Sequence, residues 1–447
     1  MIKKILIANR GEIALRIIRA CNELNIQTVA VYSEADKFSL HTRFADEAVC
    51  IGPAKSIDSY LKVPAIISAA ELTNADAIHP GYGFLSENAD FVDICKEHNL
   101  TFIGPSANAI KKMGDKAVAK QTMKQAGVPV VPGNEGVLKD VTHAKKVASE
   151  IGYPVLLKAV SGGGGKGMRF VYKENELENA FKTAQHEANV SFNNPELYME
   201  KIVIKARHIE IQLMGDKYGN IIHLNERECS LQRRNQKLLE EAPSKFISSN
   251  LRKKMGEISV KGARSVDYVG PGTIEYLVDD EENFYFMEMN TRIQVEHPVT
   301  EESLTVDLIK EQIRVASGNK LSLKEEGPRL HSIECRINAE DPEHNFRPTP
   351  GVITSLHFPG GRGVRIDSHI YQGYTIPPHY DSMIAKIICT AKTREEAIAK
   401  MYQALSETVI EGVKTTIPFH LKLMKNPDFI NGHFDTQYLE RNNWMDW

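Results

Sequence analysis

Five polar residues alternate along one short stretch of this chain: Glu288, Asn290, Arg292, Gln294 and Glu296. In an extended segment successive side chains point to opposite faces, so all five would share one face. Met287, Met289, Ile293 and Val295 would then point toward a core. The polar face offers metal-ligand oxygens, then a guanidinium, an amide and a second carboxylate. That series suits a polyanion, a small oxyanion and a proton transfer. Just upstream, residues 272–278 and 284–290 read as hairpin arms around the loop 279–283. With the loop centred between Glu281 and Glu282, Glu275 lies opposite Glu288, their Cβ atoms ~5 Å apart. Two carboxylates that close repel, and a divalent cation held by Glu275, Glu288 and Asn290 removes the conflict. Oxygen-only ligands favour Mg2+ or Mn2+ over zinc. The plainer alternative is a half-exposed edge strand of mixed charge, although such strands more often carry Thr, Lys and Ser.

A second signal is Ser161-Gly162-Gly163-Gly164-Gly165-Lys166-Gly167. It matches G-x-G-x-x-G formally, but that fingerprint must open a helix, whereas residues 168–172 read as a strand. It is not a P-loop, because Gly167 stands where Ser or Thr is required. What remains is a glycine-rich hairpin loop whose N–H groups can wrap phosphate oxygens without Cβ interference. A surface loop is the alternative. Lys158 lies in the apolar run 153–160 beside it. If buried, its ammonium needs an anion, which a held phosphate would supply; if on the solvent face, it needs none.

The elements that position these groups follow from periodicity. Strands are expected at 5–8, 28–32, 77–79 and 101–103, with helices at 12–23, 63–70 and 91–97. This is βαβ traffic and hence a parallel sheet. The turn-rich His79-Pro80-Gly81-Tyr82-Gly83 follows a strand, where ligands commonly bind. A helix begins near Asp115-Lys116, and 128–133 reads as a linker. Strands at 153–160, 168–172 and 197–200, with a helix over 176–188, form a compact α+β unit. The remainder is a larger unit with hairpin loops at 216–220 and 279–283.

The 447 residues suit about three domains. A net charge of −3 gives no general pull toward nucleic acid or an anionic membrane. The six cysteines form no C-x-x-C pair, so neither a zinc site nor a disulfide framework is indicated, and reduced thiols fit a cytoplasmic setting. No signal peptide opens the chain, and no apolar run approaches a membrane span.

On these residues the chain resembles biotin carboxylases of the ATP-grasp superfamily. The similarity runs through Ile7–Ala14, His79–Asn88, the glycine loop, Arg207-His208-Ile209-Glu210, Gln232-Arg233-Arg234, the motif from Glu288 to Pro298, residues 334–340 and residues 377–382. The resemblance implies mixed α/β and α+β architecture. A Rossmann-like parallel-sheet domain would span 1–113 and a helical linker 114–130. An ATP-grasp lid would span 131–203, and the ATP-grasp core with a C-terminal antiparallel-sheet domain 204–447. It places nucleotide between lid and body. Lys116 and Lys158 would contact phosphates, with Gly164 and Gly165 closing over them. Glu200, Lys201 and Val203 would form the adenine-side hinge, with His208, Gln232 and Asn235 also at the nucleotide.

The implied chemistry is ATP-dependent carboxylation of biotin. Bicarbonate would sit against Lys237, Arg292, Gln294 and the Val295 backbone, with Glu296 as general base. Arg336 would stabilise the enolate-like oxygen of biotin, and Tyr82 would contact the substrate. Residue 235 departs from the family, which commonly has histidine there. The Glu275–Glu288 separation is one residue longer than usual, to be absorbed by 279–283. No Ala/Val-Met-Lys-Met biotinylation site occurs. The expectation is therefore a separate subunit or domain, homodimeric, that acts on a biotin carboxyl carrier protein and serves a carboxyltransferase. Acetyl-CoA carboxylase is the expected parent. Pyruvate carboxylase, another acyl-CoA carboxylase, a carbamoyl-phosphate-forming ligase and a nucleotide-sensing regulator stand as alternatives.

Overall fold

The computed structural model describes residues 2–134, 136–160, 168–192 and 194–446. They form two units: one of Met1–Val128, Arg207–Tyr276 and Glu288–Trp447, the other of Pro129–Ala206 and Leu277–Met287.

The larger unit opens with a five-stranded parallel sheet in the order β3-β2-β1-β4-β5. The strands are β1 (Lys4–Ile7), β2 (Gln27–Ser33), β3 (Glu47–Gly52), β4 (Ala77–His79) and β5 (Thr101–Phe102). Ile5, Leu6 and Ile7 are all fully buried. Helices cover both faces of such a sheet, so its central strands read as apolar runs rather than alternations. Edge strand β3 was not expected. Its Glu47-Ala48-Val49-Cys50 is largely exposed and lacks that apolar signature. Further along, Asp115 caps the helix Lys116–Gln125, its Oδ1 accepting from the N–H groups of Ala117 (2.9 Å) and Val118 (3.0 Å).

The smaller unit holds an antiparallel sheet with β6 (Val155–Ala159) between β7 (Met168–Val171) and β8 (Leu197–Lys201). The helices Val141–Ile151 and Glu174–Phe192 pack on it through Val147, Leu177 and Phe181 against Val155 and Leu157.

The other large sheet has eight strands. They are β9 (Arg207–Gly215), β10 (Ile221–Arg233), β11 (Gln236–Ala242), β12 (Gly270–Val278), β13 (Phe284–Asn290), β14 (His331–Asn338), β15 (Val364–Ser368) and β16 (Met383–Ala391). Their order is β13-β12-β9-β10-β11-β14-β16-β15. Ile333, Cys335 and Ile337 of β14 enter an apolar core, so Glu334 and Arg336 face the other way. Across the ladder Arg336 pairs with Lys386, and Lys386 with Asp367, so one row of this face presents three charges.

Two expectations need correction. The extended chain does not continue to Glu296: β13 ends at Asn290, and residues 291–296 bend into the helix His297–Leu304. Nor do all four apolar residues reach a core. Met289 and Ile293 are buried, but Met287 is 42 % exposed and Val295 only half-buried. The alternation ends where the strand ends.

Candidate active site

Glu296 lies 2 % exposed, gripped from two sides. Lys237 donates to its Oε1 at 2.7 Å, and Arg336 to its Oε2 at 2.9 Å. Burial works to raise the Glu296 pKa, but first Lys237 and then Arg336 hold it below the usual carboxylate range. The same ammonium of Lys237 reaches Glu275 Oε1 at 3.2 Å and also Glu210. Arg336 in turn donates its Nε to Glu240 Oε1 at 2.6 Å. The bent segment 291–296 brings in the remaining members. Gln294 Nε2 donates to Glu275 Oε1 at 2.9 Å. Arg292 spans Glu87 Oε2 and Asn290 Oδ1, both at 2.9 Å. His297 fixes the bend, its Nδ1–H donating to the Gln294 carbonyl at 2.8 Å.

The hairpin carrying Glu275 and Glu288 closes with the Asp279 N–H donating to the Asn283 carbonyl at 3.0 Å. That pair centres the turn on Glu281 rather than between Glu281 and Glu282. Glu282 takes a left-handed φ of +62°, the way a three-residue loop takes up an extra residue. Glu288 feels Glu275: burial and then the Glu275 charge raise its pKa, while Lys116, His208 and Lys237 act the other way. Among the described residues the Glu288 side chain has neither a hydrogen bond nor an ion pair. Asn290 Nδ2 donates to Glu275 Oε1 at 2.7 Å. His208 stands 3.1 Å from Glu275 and 3.0 Å from Glu210. Burial opposes its charge, yet these carboxylates raise its pKa to about 9. So negative a spot, with carboxylate and amide oxygens and an unengaged Glu288, fits a hard divalent cation.

The nucleotide-side candidates are distributed as follows. Lys116 starts its capped helix. Gln232 pairs with Lys237 across the β10–β11 ladder. Arg234 and Asn235 form the turn between these strands, with φ of +50° and +62°. Asparagine tolerates that left-handed position well, which rationalises it there. In the smaller unit Lys158 is half-buried and pairs with Glu200 Oε2 at 2.6 Å, so its charge meets a carboxylate of this chain. Lys201 caps the carbonyls of Gly152 (2.8 Å) and Tyr153 (3.1 Å). Val203 follows β8. Gly164 and Gly165 lie outside the described residues. Tyr82 donates its hydroxyl to Glu12 Oε1.

Four members went unrecognised in the sequence: Glu210, Arg227, Glu240 and Glu87. Arg227 is fully buried and donates to Glu210, Gln212 Oε1 (2.6 Å) and Gln294 Oε1. A signal existed for Glu210. His208, Glu210 and Gln212 alternate with Ile209, Ile211 and Leu213, the same period-two pattern that exposed the Glu288 series. Nothing comparable marks Arg227, because polar residues follow one another in Asn225-Glu226-Arg227-Glu228 and hide any alternation.

Family models agree with this architecture along most of the chain. Residues 1–110 match the biotin carboxylase N-terminal domain, and 334–441 the biotin carboxylase C-terminal domain. Residues 115–324 match the carbamoyl-phosphate synthase L chain ATP binding domain. Biotin carboxylase 1 of Bacillus subtilis is 61% identical over 443 residues, covering 98% of both chains. Among solved structures, a Campylobacter jejuni biotin carboxylase in complex with β,γ-ATP is 53% identical with a TM-score of 0.90, covering 99% of each chain. The biotin carboxylase domain dimer of Hydrogenobacter thermophilus 2-oxoglutarate carboxylase, in complex with MgADP, ADP and bicarbonate, is 51% identical with a TM-score of 0.89. It is matched over 98% of its length and 99% of this chain. The chain belongs to the biotin carboxylase family, and it is an enzyme of that activity.

Proposed function

We propose that this enzyme uses Mg–ATP and bicarbonate to carboxylate biotin carried on a separate carrier protein, and that Glu296 is its general base. The observation that supports this most is the convergence of Lys237 and Arg336 on the one buried carboxylate of Glu296. Bicarbonate sits against Lys237, Arg292, Gln294 and the Val295 N–H. There its negative charge replaces part of what Lys237 now neutralises within the protein. Glu296, held ionised, takes the bicarbonate proton, so that an oxygen of bicarbonate attacks the γ-phosphorus of ATP and ADP leaves. Glu275, Glu288 and Asn290 would hold Mg2+ or Mn2+, which supplies charge stabilisation for the transferring phosphoryl group. Lys116, Lys158, Gly164, Gly165, Glu200, Lys201, Val203, His208, Gln232 and Asn235 keep their expected nucleotide contacts in this reading.

The carboxyphosphate so formed breaks down to CO2 and phosphate. Phosphate deprotonates the biotin ureido nitrogen, which attacks CO2. Arg336 faces the ureido oxygen as negative charge develops, and Tyr82 contacts the substrate. Among the described residues no helix is long and apolar enough to cross a membrane. We place the enzyme in the cytoplasm as a homodimer serving a carrier protein and carboxyltransferase, with acetyl-CoA carboxylase as parent complex. The test is ADP release from the purified chain with Mg–ATP and bicarbonate, with and without free biotin, for wild type and Glu296→Gln. Biotin-stimulated turnover that the variant loses supports the reading. Turnover indifferent to biotin, or retained in Glu296→Gln, sinks it.

A further inference from the structure

Lys386 is fully buried, in the middle of β16 among Ile384, Ala385, Ile387 and Ile388. A buried ammonium costs several kcal/mol unless its partners are well placed, and an apolar residue there would be cheaper. Its partners lie on two separate elements. It donates to the Val295 carbonyl at 2.7 Å and stands 3.2 Å from Glu12 Oε1, with Asp367 Oδ2 further off at 3.9 Å. Val295 immediately precedes Glu296 and lies in the bend that replaces the strand. Glu12 opens the helix Gly11–Glu23 and is 4 % exposed; the same Oε1 accepts the Tyr82 hydroxyl. Tyr82 lies in the loop after β4. One ammonium therefore holds the backbone beside Glu296 directly, and the Tyr82 ring through Glu12.

The rest of the surroundings explain why the charge is kept. Burial acts to lower the Lys386 pKa, but Glu12, Glu334 and Asp367 together raise it, with Arg365 opposing. Asp367 is already engaged by Arg365, Nη2 to Oδ2 at 2.8 Å, so Lys386 is not needed to neutralise it. Glu12 Oε2 has no hydrogen-bond partner. Among the described residues its other oxygen meets only the Lys386 ammonium and the Tyr82 hydroxyl, so without Lys386 the Glu12 carboxylate would lose its ion-pair partner.

We propose that Lys386 is a positioning residue that fixes the Val295–Glu296 bend and, through Glu12, the Tyr82 hydroxyl, setting the bicarbonate-facing and biotin-facing groups in one arrangement. This deepens the reading above and rests on it. Lys386 touches neither substrate; it acts through Val295 and Glu12. Because a misplacement of about 1 Å can cost about 100-fold in rate, loss of this ammonium lowers kcat/KM for bicarbonate by about that factor. It also raises KM for biotin, and it leaves Mg–ATP affinity unchanged.

The experiment uses the full chain, comparing wild type, Lys386→Met, Glu12→Gln and the double variant. Steady-state ADP release is titrated separately with bicarbonate and biotin, and Mg–ATP binding is measured by calorimetry. Selective loss in both single variants, with a double variant no worse than the more damaged single, supports the proposal, because coupled groups are non-additive. Wild-type bicarbonate and biotin parameters in folded Lys386→Met overturn it. So does a parallel loss of Mg–ATP affinity, which marks a general structural role. If Lys386→Met does not fold, Glu12→Gln decides alone, since it keeps shape and removes only charge: selective loss supports, unchanged kinetics overturn. A wild-type enzyme without biotin-stimulated turnover would instead refute the underlying functional reading.

Discussion

Replacing Arg227 with methionine removes the guanidinium beneath the whole site while keeping a long apolar stem. Arg227 donates to Glu210 Oε2 at 3.1 and 3.3 Å, to Gln212 Oε1 at 2.6 Å, to Thr273 and Thr300 Oγ1, both at 3.1 Å, and to Gln294 Oε1. Glu210 keeps Lys237 and His208, so its charge is not left alone. The Oε1 atoms of Gln212 and Gln294 each lose a donor in a dry site, at about 1–3 kcal/mol apiece. With the weakened Glu210 pair, the expected destabilisation is about 3–5 kcal/mol. Gln294 is also freed to turn away from Glu275, so kcat falls by about 10–100-fold even where the variant is folded. Urea unfolding followed by circular dichroism gives the first quantity and ADP release the second. Adding Glu210→Gln to Arg227→Met should recover neither stability nor activity, since Lys237 and His208 then lose a carboxylate partner as well. A single variant within about 1 kcal/mol of wild type, or with wild-type kcat, would refute the reasoning.

Other expectations follow from the same residues. Burial holds His369 at a pKa of about 3 and His41 at about 4, against an ordinary 6.5, so each stays neutral when folded. The unfolded chain then binds more protons below pH 6.5. Each such histidine therefore supports stability above pH 6.5 and withdraws about 1 kcal/mol between pH 6.5 and 5.5. His369→Phe should flatten the stability-versus-pH curve by that amount in that window; an unaltered slope contradicts it. Asp115→Ala should cost about 1 kcal/mol and weaken Mg–ATP binding through Lys116, whereas Asp115→Asn should do neither; equal effects would count against the cap. Chelation should stop turnover and added Mn2+ restore it, while Glu288→Gln should raise the Mg2+ concentration for half-maximal rate. An unchanged metal requirement in that variant would exclude Glu288 as a ligand.

Much of this architecture was legible in residue patterns, for identifiable reasons. The parallel sheet shows as apolar runs because β1 and β2 are buried on both faces. The hairpin at Asp279–Asn283 shows because its turn residues interrupt two alternating arms. The alternation from Glu288 to Glu296 assumed one extended strand, but the strand ends at Asn290, and a bend fixed by His297, Lys386 and Arg336 places the later residues. Those are contacts between residues far apart in the chain, which local periodicity cannot report. Nothing local in Glu334-Cys335-Arg336 marks Arg336, and only the register of β14 beside β11 and β16 brings it to Glu296.

The most direct test of the central claim is the fate of an oxygen atom. If Glu296 deprotonates bicarbonate for attack on the γ-phosphorus, turnover with 18O-labelled bicarbonate must deliver one labelled oxygen into the released phosphate. In Glu296→Gln both the turnover and the transfer should fall together. Biotin-stimulated turnover with unlabelled phosphate would contradict the account, because the phosphate oxygen would then have come from water.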